Sequence, residues 1–334
     1  MIEVRSLEKT FPGKHGLLGH DAVKAVQDVS FRIPDGGAVS FIGESGCGKT
    51  TIGRILAGLE NYTAGEVLID GQNLATVDRR QREAVLRRVQ LIQQDPYQAL
   101  NPARTIEQAL SDPLKVMAKA RGADTAWILH RMEEVLGLVG LEPEAVVHKY
   151  PHMLSGGQRQ RIVIARALTV EPSVLVADEA VSMIDVSLRL GVLKLLRDLR
   201  EKFHISLIFI THDVASARYV GEDGQMFVIY KGMIAEQGPT DDVILHPQHP
   251  YTQALLSAVP VLKGLESPGS DRYIPLKELD HGQSPENACL FAPRCPFAQP
   301  LCETERPALQ GASGHQYACH YPQERHVVAV ALKK

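Results

Sequence analysis

Apolar and polar positions along this chain follow more than one period, and the changes of period divide it. Residues 1–75 hold short strand-like runs separated by turn formers such as Pro34-Asp35-Gly36-Gly37 and Asp70-Gly71, which reads as a mixed sheet. The stretches Leu91-Ile92, Val174–Ala177 and Leu207–Ile210 are unbroken apolar runs, and Ala38–Ile42 is apolar but for Ser40. Such runs suit strands of a parallel sheet covered on both faces. From Leu100 to Pro151 the period becomes helical, and Thr105–Leu114 and Thr125–Leu141 put apolar residues on one side and charges on the other. Gln158–Val170 continues as a helix, and Val186–Phe203 is strongly amphipathic. Beyond about residue 245, from His246-Pro247 to Ser267-Pro268-Gly269, proline and glycine accumulate and mark a boundary into an appended region.

The chemistry sits where these runs end. Gly43-Glu44-Ser45-Gly46-Cys47-Gly48-Lys49-Thr50 fits G-x-x-x-x-G-K-[ST]. It follows the strand Ala38–Ile42 and precedes a helix, Thr51–Leu59, stopped by Gly58. The glycines let the backbone wrap phosphate oxygens with its N–H groups, and the helix start adds positive potential. Lys49 is expected on the β- and γ-phosphates and Thr50 on Mg²⁺, so Gly43 through Thr51 is the candidate nucleotide site. Cys47 lies inside it and reads as a small space-filler.

Asp178 and Glu179 end the run Val174–Ala177, at the strand end where ligands bind in open α/β sheets. The Asp is expected to hold Mg²⁺ and the Glu to act as general base on water. His212 ends the run Leu207–Thr211 and points to the same crevice. Gln94 follows Leu91-Ile92 and is expected to sense Mg²⁺ and water, with Gln93 the neighbour that could take its place.

Leu154-Ser155-Gly156-Gly157-Gln158 is a second glycine-bearing turn at a helix start. It offers further N–H groups to a phosphate. One chain does not need two such turns for one nucleotide, but two chains facing head to tail do. Arg159, Arg161 and Arg166 on the following helix are expected on a solvated or interface face.

Together these residues resemble the ATP-binding cassette family over roughly residues 1–245. Gly43–Thr51 is similar to its Walker A loop, Gln94 to its Q-loop, Leu154–Gln158 to its signature and Asp178-Glu179 to its Walker B pair. Ser182-Met183-Ile184-Asp185 stands where the D-loop belongs and His212 where the switch histidine belongs. The resemblance implies a P-loop NTPase (RecA-like) core in the α/β class. To this it adds an N-terminal antiparallel β subdomain, an inserted helical subdomain at about 97–155 and a small Cys-rich C-terminal extension over 246–334. It also implies Phe11 as the aromatic that stacks on adenine, and a partner's signature Ser155, Gly156, Gly157 and Gln158 closing each ATP site. The chain departs from the family in lacking the usual proline after Glu179 and in carrying the bulkier Met183, which puts the D-loop geometry in question.

A closer resemblance is to the oligopeptide, dipeptide and nickel importer ATPases. It rests on Gln94-Asp95-Pro96, Leu100-Asn101-Pro102, His249-Pro250-Tyr251-Thr252 and a late pattern of Cys289, Pro293-Arg294-Cys295-Pro296, Cys302, Pro307 and Cys319-His320. Gly16–Val23 resembles the second of the two ATPases these importers carry. What this implies is an ATP- and Mg²⁺-dependent ATPase peripheral to the cytoplasmic face of the cell membrane. Its partners would be a related second ATPase, two membrane-spanning permease subunits and, indirectly, an extracytoplasmic substrate-binding protein. Peptides, nickel chelates, short sugars and glutathione all remain open as cargo. Two rivals stand beside this: a nucleotide-binding switch with little hydrolysis, and a non-transport ATPase of the same fold. The latter would bring a long coiled-coil insertion or a second cassette, and the sequence shows neither.

Composition narrows the picture further. Lys and Arg total 36 against 39 Asp and Glu in 334 residues, for a formal charge of -3, which argues against a nucleic-acid partner. No apolar run approaches the ~18 residues of a membrane span, and the late run Val327–Leu332 is far too short. Met1–Arg5 lacks a signal-peptide pattern, so the expectation is a cytosolic chain whose membrane role comes through partners.

Cys289, Cys295, Cys302 and Cys319 are spaced by 5, 6 and 16 residues. In a cytosolic chain this favours metal ligation over disulfides. The spacing fits no common zinc ribbon; irregular loop thiolates can hold an iron–sulfur cluster. The importer resemblance implies [4Fe-4S], with Zn²⁺ or unligated thiols as alternatives and His320 as a bystander.

Overall fold

The computed structural model describes residues 1–13, 22–258, 274, 276, 287–312, 314–323 and 325. Gly16–Asp21, Ser267–Gly269 and Val327–Leu332, used in the sequence reading, lie outside them.

Two sheets build the body. The first has the order β2-β1-β4-β5, from β1 (Ile2–Phe11), β2 (Val23–Ile33), β4 (Ala64–Ile69) and β5 (Gln72–Asn73). All its pairings are antiparallel. The mixed sheet expected over residues 1–75 is therefore corrected: β3 (Ala38–Ile42) leaves that sheet for the second one. The reason is burial. All five β3 residues are buried, whereas β1 and β2 mix buried and exposed positions.

The second sheet also contains β6 (Val89–Ile92), β7 (Val174–Asp178), β8 (Ser206–Thr211), β9 (Gln225–Tyr230), β10 (Met233–Pro239) and β11 (Gln316–Tyr317). Its order is β11-β10-β9-β3-β8-β7-β6, parallel from β6 to β9 and antiparallel at β10 and β11.

The unbroken apolar runs serve two cores at once. Val174, Val176, Ile208 and Ile210 face one core with the antiparallel sheet and the helix Lys49–Leu56. Leu175, Ala177, Leu207 and Phe209 face the other, shared with the remaining helices. Alternate side chains of a strand point to opposite faces, so both faces must be apolar.

The helix Ile106–Arg121 outruns its expected end at Leu114 and passes through Pro113. Ile106, Leu110, Leu114 and Ala118 keep one buried stripe across the proline. Burying several such side chains, each worth about 1.5–3 kcal/mol, outweighs the ~3 kcal/mol cost of an interior proline. Thr105 and Gln108 close its start as a capping box and Gly122 ends it in the left-handed region. It packs with Thr125–Leu138 and with the helix Gly156–Leu168.

The late residues do not stand apart. Tyr251 and Phe291 are 1% and 2% exposed and pack on Tyr230 of β9 at ring-centroid distances of 4.6 and 5.2 Å. β11 extends β10 at the sheet edge. The fully buried Glu236 carboxylate accepts the backbone N–H groups of Gln248 at 2.8 Å and His249 at 2.9 Å, and lies 2.7 Å from His315 Nε2. A buried charge needs such partners, and here they pin the late segments to β10. Among the described residues no helix is long and apolar enough to cross a membrane.

Candidate functional site

The phosphate loop runs from the end of β3 at Ile42 to the helix starting at Lys49. It is pressed against its surroundings. A Cβ on Gly43 would strike the Ile229 carbonyl and one on Gly48 the Ala25 carbonyl, and both residues have positive φ, so only glycine fits. Gly232 donates its N–H to the Cys47 carbonyl at 2.8 Å, tying the loop to the β9–β10 turn. Ser45, Gly46 and Thr50 are exposed and Thr51 is half-buried. Lys49 is buried, and its ammonium donates to the carbonyls of Gly43 and Glu44, each at 2.8 Å. Burial pushes the Cys47 thiol up despite Lys49 Nζ at 3.5 Å, in keeping with a space-filler and not a reactive thiolate.

Thr50 Oγ1 donates to Asp178 Oδ1 at 3.0 Å. Burial raises the Asp178 pKa; the Thr50 hydrogen bond opposes this, Glu179 adds to it and Lys49 opposes it. A carboxylate so disfavoured as an anion is ready to be neutralised by a divalent cation.

Glu179 follows at φ +46, in the left-handed region that a non-glycine residue rarely occupies. Its N–H donates to the Ile210 carbonyl at 2.9 Å, and its carbonyl accepts the Ser182 N–H at 3.0 Å and hydroxyl at 2.9 Å. These bonds hold a turn that would otherwise relax. Gln94 Nε2 donates to Glu179 Oε2 at 2.9 Å, and His212 Nδ1 lies 3.4 Å from Glu179 Oε1. The ends of β6, β7 and β8 thus bring two of the expected residues, Gln94 and His212, onto the carboxylate of a third, Glu179. Gln93 instead lines a groove with Val163 and Arg166.

Ser155 and Gln158 form a capping box at the start of the helix Gly156–Leu168. Each side chain accepts the other's backbone N–H, at 3.2 and 3.0 Å. The N–H groups of Gly156 and Gly157 have no partner within the helix, and a Cβ on Gly156 would meet open space. Among the described residues no hydrogen bond or ion pair joins Leu154–Gln158 to Gly43–Thr51.

Arg159 is a correction to the expected solvated or interface face. It is 7% exposed, donates to the Leu154 carbonyl at 3.1 and 2.7 Å, and stacks 3.8 Å above the Tyr97 ring centroid. It braces the turn from inside. Arg161 is half-buried, donating to the Val139 and Gly191 carbonyls, and Arg166 donates to the Ala99 carbonyl at 2.7 Å. A lone arginine on a helix carries no signal in sequence that separates these cases.

Comparison with known proteins now bears on these features. A family described as "ABC transporter" matches residues 26–182, and one described as "Oligopeptide/dipeptide transporter, C-terminal region" matches residues 235–302. The oligopeptide transport ATP-binding protein AppF of Bacillus subtilis (strain 168) is 38% identical over 96% of this chain and 97% of its own length. The chain belongs to the ABC transporter ATP-binding family. The di/tripeptide transport ATP-binding protein DppF of Pseudomonas aeruginosa (strain UCBPP-PA14) is also 38% identical, over 97% of this chain and 98% of that one. Among solved structures, the dimeric post-hydrolysis ATP-binding cassette MJ0796 bound to ADP and Pi is similar at a TM-score of 0.63 and 30% identity. The match covers 72% of this chain and 99% of that one. The fold of this ABC ATPase is accordingly that of a P-loop NTPase, and ATP is its nucleotide.

Two further expected features of the ABC ATPase have clear positions. Phe11 ends β1 opposite Val23, half-buried, with Lys9 Nζ 4.5 Å from its ring centroid. Cys289, Cys295, Cys302 and Cys319 line one cavity beside His249 and Phe291, and none forms a disulfide. Burial pushes the Cys289 thiol up and the Cys319 thiol to about 12, with the neighbouring thiols adding to both. His320 Nε2 lies 3.0 Å from the Glu305 carbonyl. Cysteine is the residue type that thiolate-bound groups use. Yet among the described residues no group of three or more His, Cys, Asp or Glu stands in a geometry that holds a metal.

Proposed function

We propose that this chain is the ATP-hydrolysing subunit of a membrane importer of peptides. The observation that carries the reading is the convergence of Gln94 and His212 on Glu179, beside the Thr50–Asp178 pair. Glu179 accepts a proton from the attacking water. Gln94 and His212 hold that carboxylate and the water in line. Lys49 leaves its carbonyl partners for the β- and γ-phosphates; Thr50 and Asp178 would hold Mg²⁺, which would supply neutralisation of developing charge. The N–H groups of Gly156 and Gly157, with Ser155 and Gln158, close the site of a facing chain, and Phe11 stacks on the base. Peptide cargo is supported by the printed names of AppF and DppF, and the ATPase reading by the cassette likeness.

The same reading divides the chain into a cassette over 1–245, with its helical subdomain at about 97–155, and a C-terminal extension over 246–334. The matches to residues 26–182 and 235–302 support this division. The partners are two permease subunits, a related second ATPase and, through them, a substrate-binding protein, placing the chain peripherally on the cytoplasmic face of the membrane. The cysteine cavity would hold a [4Fe-4S] cluster, or Zn²⁺, as a structural brace; the four unbridged thiols that line it support this, while among the described residues their arrangement forms no metal-holding group. Iron and sulfide analysis of anaerobically purified protein tests it, and negligible iron and zinc together would sink it.

The decisive experiment is Glu179→Gln in the assembled transporter. ATP turnover should fall by ~10²–10⁴ with ATP binding retained, the usual worth of a general base. Unchanged turnover would remove Glu179 from the chemistry.

A further inference from the structure

Glu44, the second residue of the phosphate loop, is held from three sides. Its carbonyl accepts from Lys49 Nζ at 2.8 Å. Its N–H donates to Tyr251 Oη at 2.8 Å. Its carboxylate receives both terminal nitrogens of Arg294, each at 2.8 Å. Two of the three holds come from the late part of the chain, within the matched region 235–302 and outside the cassette match at 26–182.

Both holding groups are themselves fixed. Tyr251 is 1% exposed and packs on Tyr230 and Phe291. Arg294 ends the short helical turn Ala292–Arg294, which follows Phe291 directly, and its guanidinium lies 6.0 Å from the Phe291 ring centroid. That turn lies between Cys289 and Cys295, whose backbone is stapled by Cys289 N–H to the Cys302 carbonyl at 2.9 Å and Cys295 N–H to the Phe291 carbonyl at 2.9 Å. A bidentate arginine–carboxylate pair sets orientation as well as distance.

We infer that Arg294 and Tyr251 are positioning residues for ATP binding, a clasp through which the C-terminal region shapes the phosphate loop. The inference rests on reading Gly43–Thr51 as the ATP site. When Lys49 turns from the Glu44 carbonyl to a phosphate, that carbonyl keeps only a long bond from the Cys47 N–H at 3.4 Å. The clasp supplies the two remaining holds, so the loop keeps its shape at the moment of loading. A binding loop already in its bound form loses less freedom on binding and holds its ligand more tightly. The pair is partly solvated on the Glu44 side, which limits its worth to about three- to tenfold in affinity.

The test is MgATP affinity of the full-length chain by titration calorimetry, with thermal melting alongside. Arg294→Met and Tyr251→Phe should each weaken binding about three- to tenfold, and Arg294→Lys should fall between Arg294→Met and wild type. Glu44→Gln should act like Arg294→Met, and Glu44→Gln with Arg294→Met should be no worse than either alone. If Arg294→Met does not fold, Tyr251→Phe and Arg294→Lys carry the test. Wild-type affinity in the folded clasp variants, or a double variant whose loss is the sum of the singles, would overturn the clasp. Lys49→Ala separates the two ideas. If it binds MgATP as wild type does, the reading of the loop itself fails; if it loses binding while the clasp variants do not, only the clasp fails.

Discussion

The nucleotide crevice and the cysteine cavity are built by opposite means. The crevice lies at the ends of parallel strands, and several of its candidate groups are exposed or lightly held: Thr50 and Gln94 face solvent, and His212 stands 3.4 Å from its partner. The cavity is walled by aromatic rings and thiols and anchored by the fully buried Glu236 with its donors. A site that must exchange its occupant keeps groups solvated and strained; a region that must stay docked satisfies every buried charge. Stability and activity should therefore part company between the two.

Substitution in the crevice should cost activity and add stability. Asp178→Asn removes a carboxylate whose pKa burial raises. A raised folded pKa means the unfolded chain binds fewer protons, so the ionised residue costs stability as pH rises through that pKa. The expected outcome is a loss of Mg²⁺-dependent turnover of at least ~10² in the transporter, with a higher melting temperature for the nucleotide-free chain. A lower melting temperature would break the contrast.

Substitution beside the cavity should do the reverse. Glu236→Ala leaves the N–H groups of Gln248 and His249 without their acceptor and His315 without its partner. Removing one side of a buried charged network costs about 3–5 kcal/mol, read from denaturant midpoints. A loss below about 1 kcal/mol would show that the docking rests on the aromatic packing instead.

Burial lowers the His249 pKa from 6.5 to about 4, with Glu236 opposing. His249 Nδ1 accepts the Tyr251 N–H at 3.0 Å, so the ring is neutral in the fold. Between these two values the unfolded chain binds the extra proton, and stability therefore rises with pH across the window. It should be fully present above about 6.5 and decline toward pH 4, by up to about 3 kcal/mol at 1.36 kcal/mol per pH unit. His249→Asn keeps an acceptor for Tyr251 and removes the titration, so its unfolding free energy should vary less over this range than that of wild type. Equal slopes would exclude His249.

The smallest expected effect sharpens the reading of the signature turn. Arg159→Met keeps the stacking bulk on Tyr97 but leaves the Leu154 carbonyl without its donors. It should cost about 1–2 kcal/mol in stability and lower turnover only in the assembled pair, where the turn would serve a facing site. Equal loss in an isolated chain's ATP affinity would place the effect elsewhere.

The crevice was largely legible in the order of residues. Strand, glycine loop and helix are contiguous, and a strand that must be apolar on both faces announces where it ends. Asp178, Glu179, His212 and Gln94 could therefore be assigned to strand ends, and a parallel sheet brings neighbouring ends together. Arg294, Tyr251, Glu236, His249 and Arg159 gave no comparable sign as the holders they are. Arg294 meets Glu44 across 250 positions and Tyr251 meets it across 207. Nor did a rise in proline and glycine after residue 245 reveal that Tyr251 and Phe291 complete the main core.

Sequence by itself determined the periods, and through them the two-faced parallel strands, the phosphate loop and the carboxylates at its side. These follow from local geometry: a repeat of two or 3.6 residues, and glycine where a side chain would collide. Tertiary structure alone decided which solitary polar residues became partners, that the late segments join the central sheet, and that a buried arginine supports the serine turn. Those choices depend on which buried charges the fold leaves unpaired, and only the closed chain brings their answers within hydrogen-bonding distance.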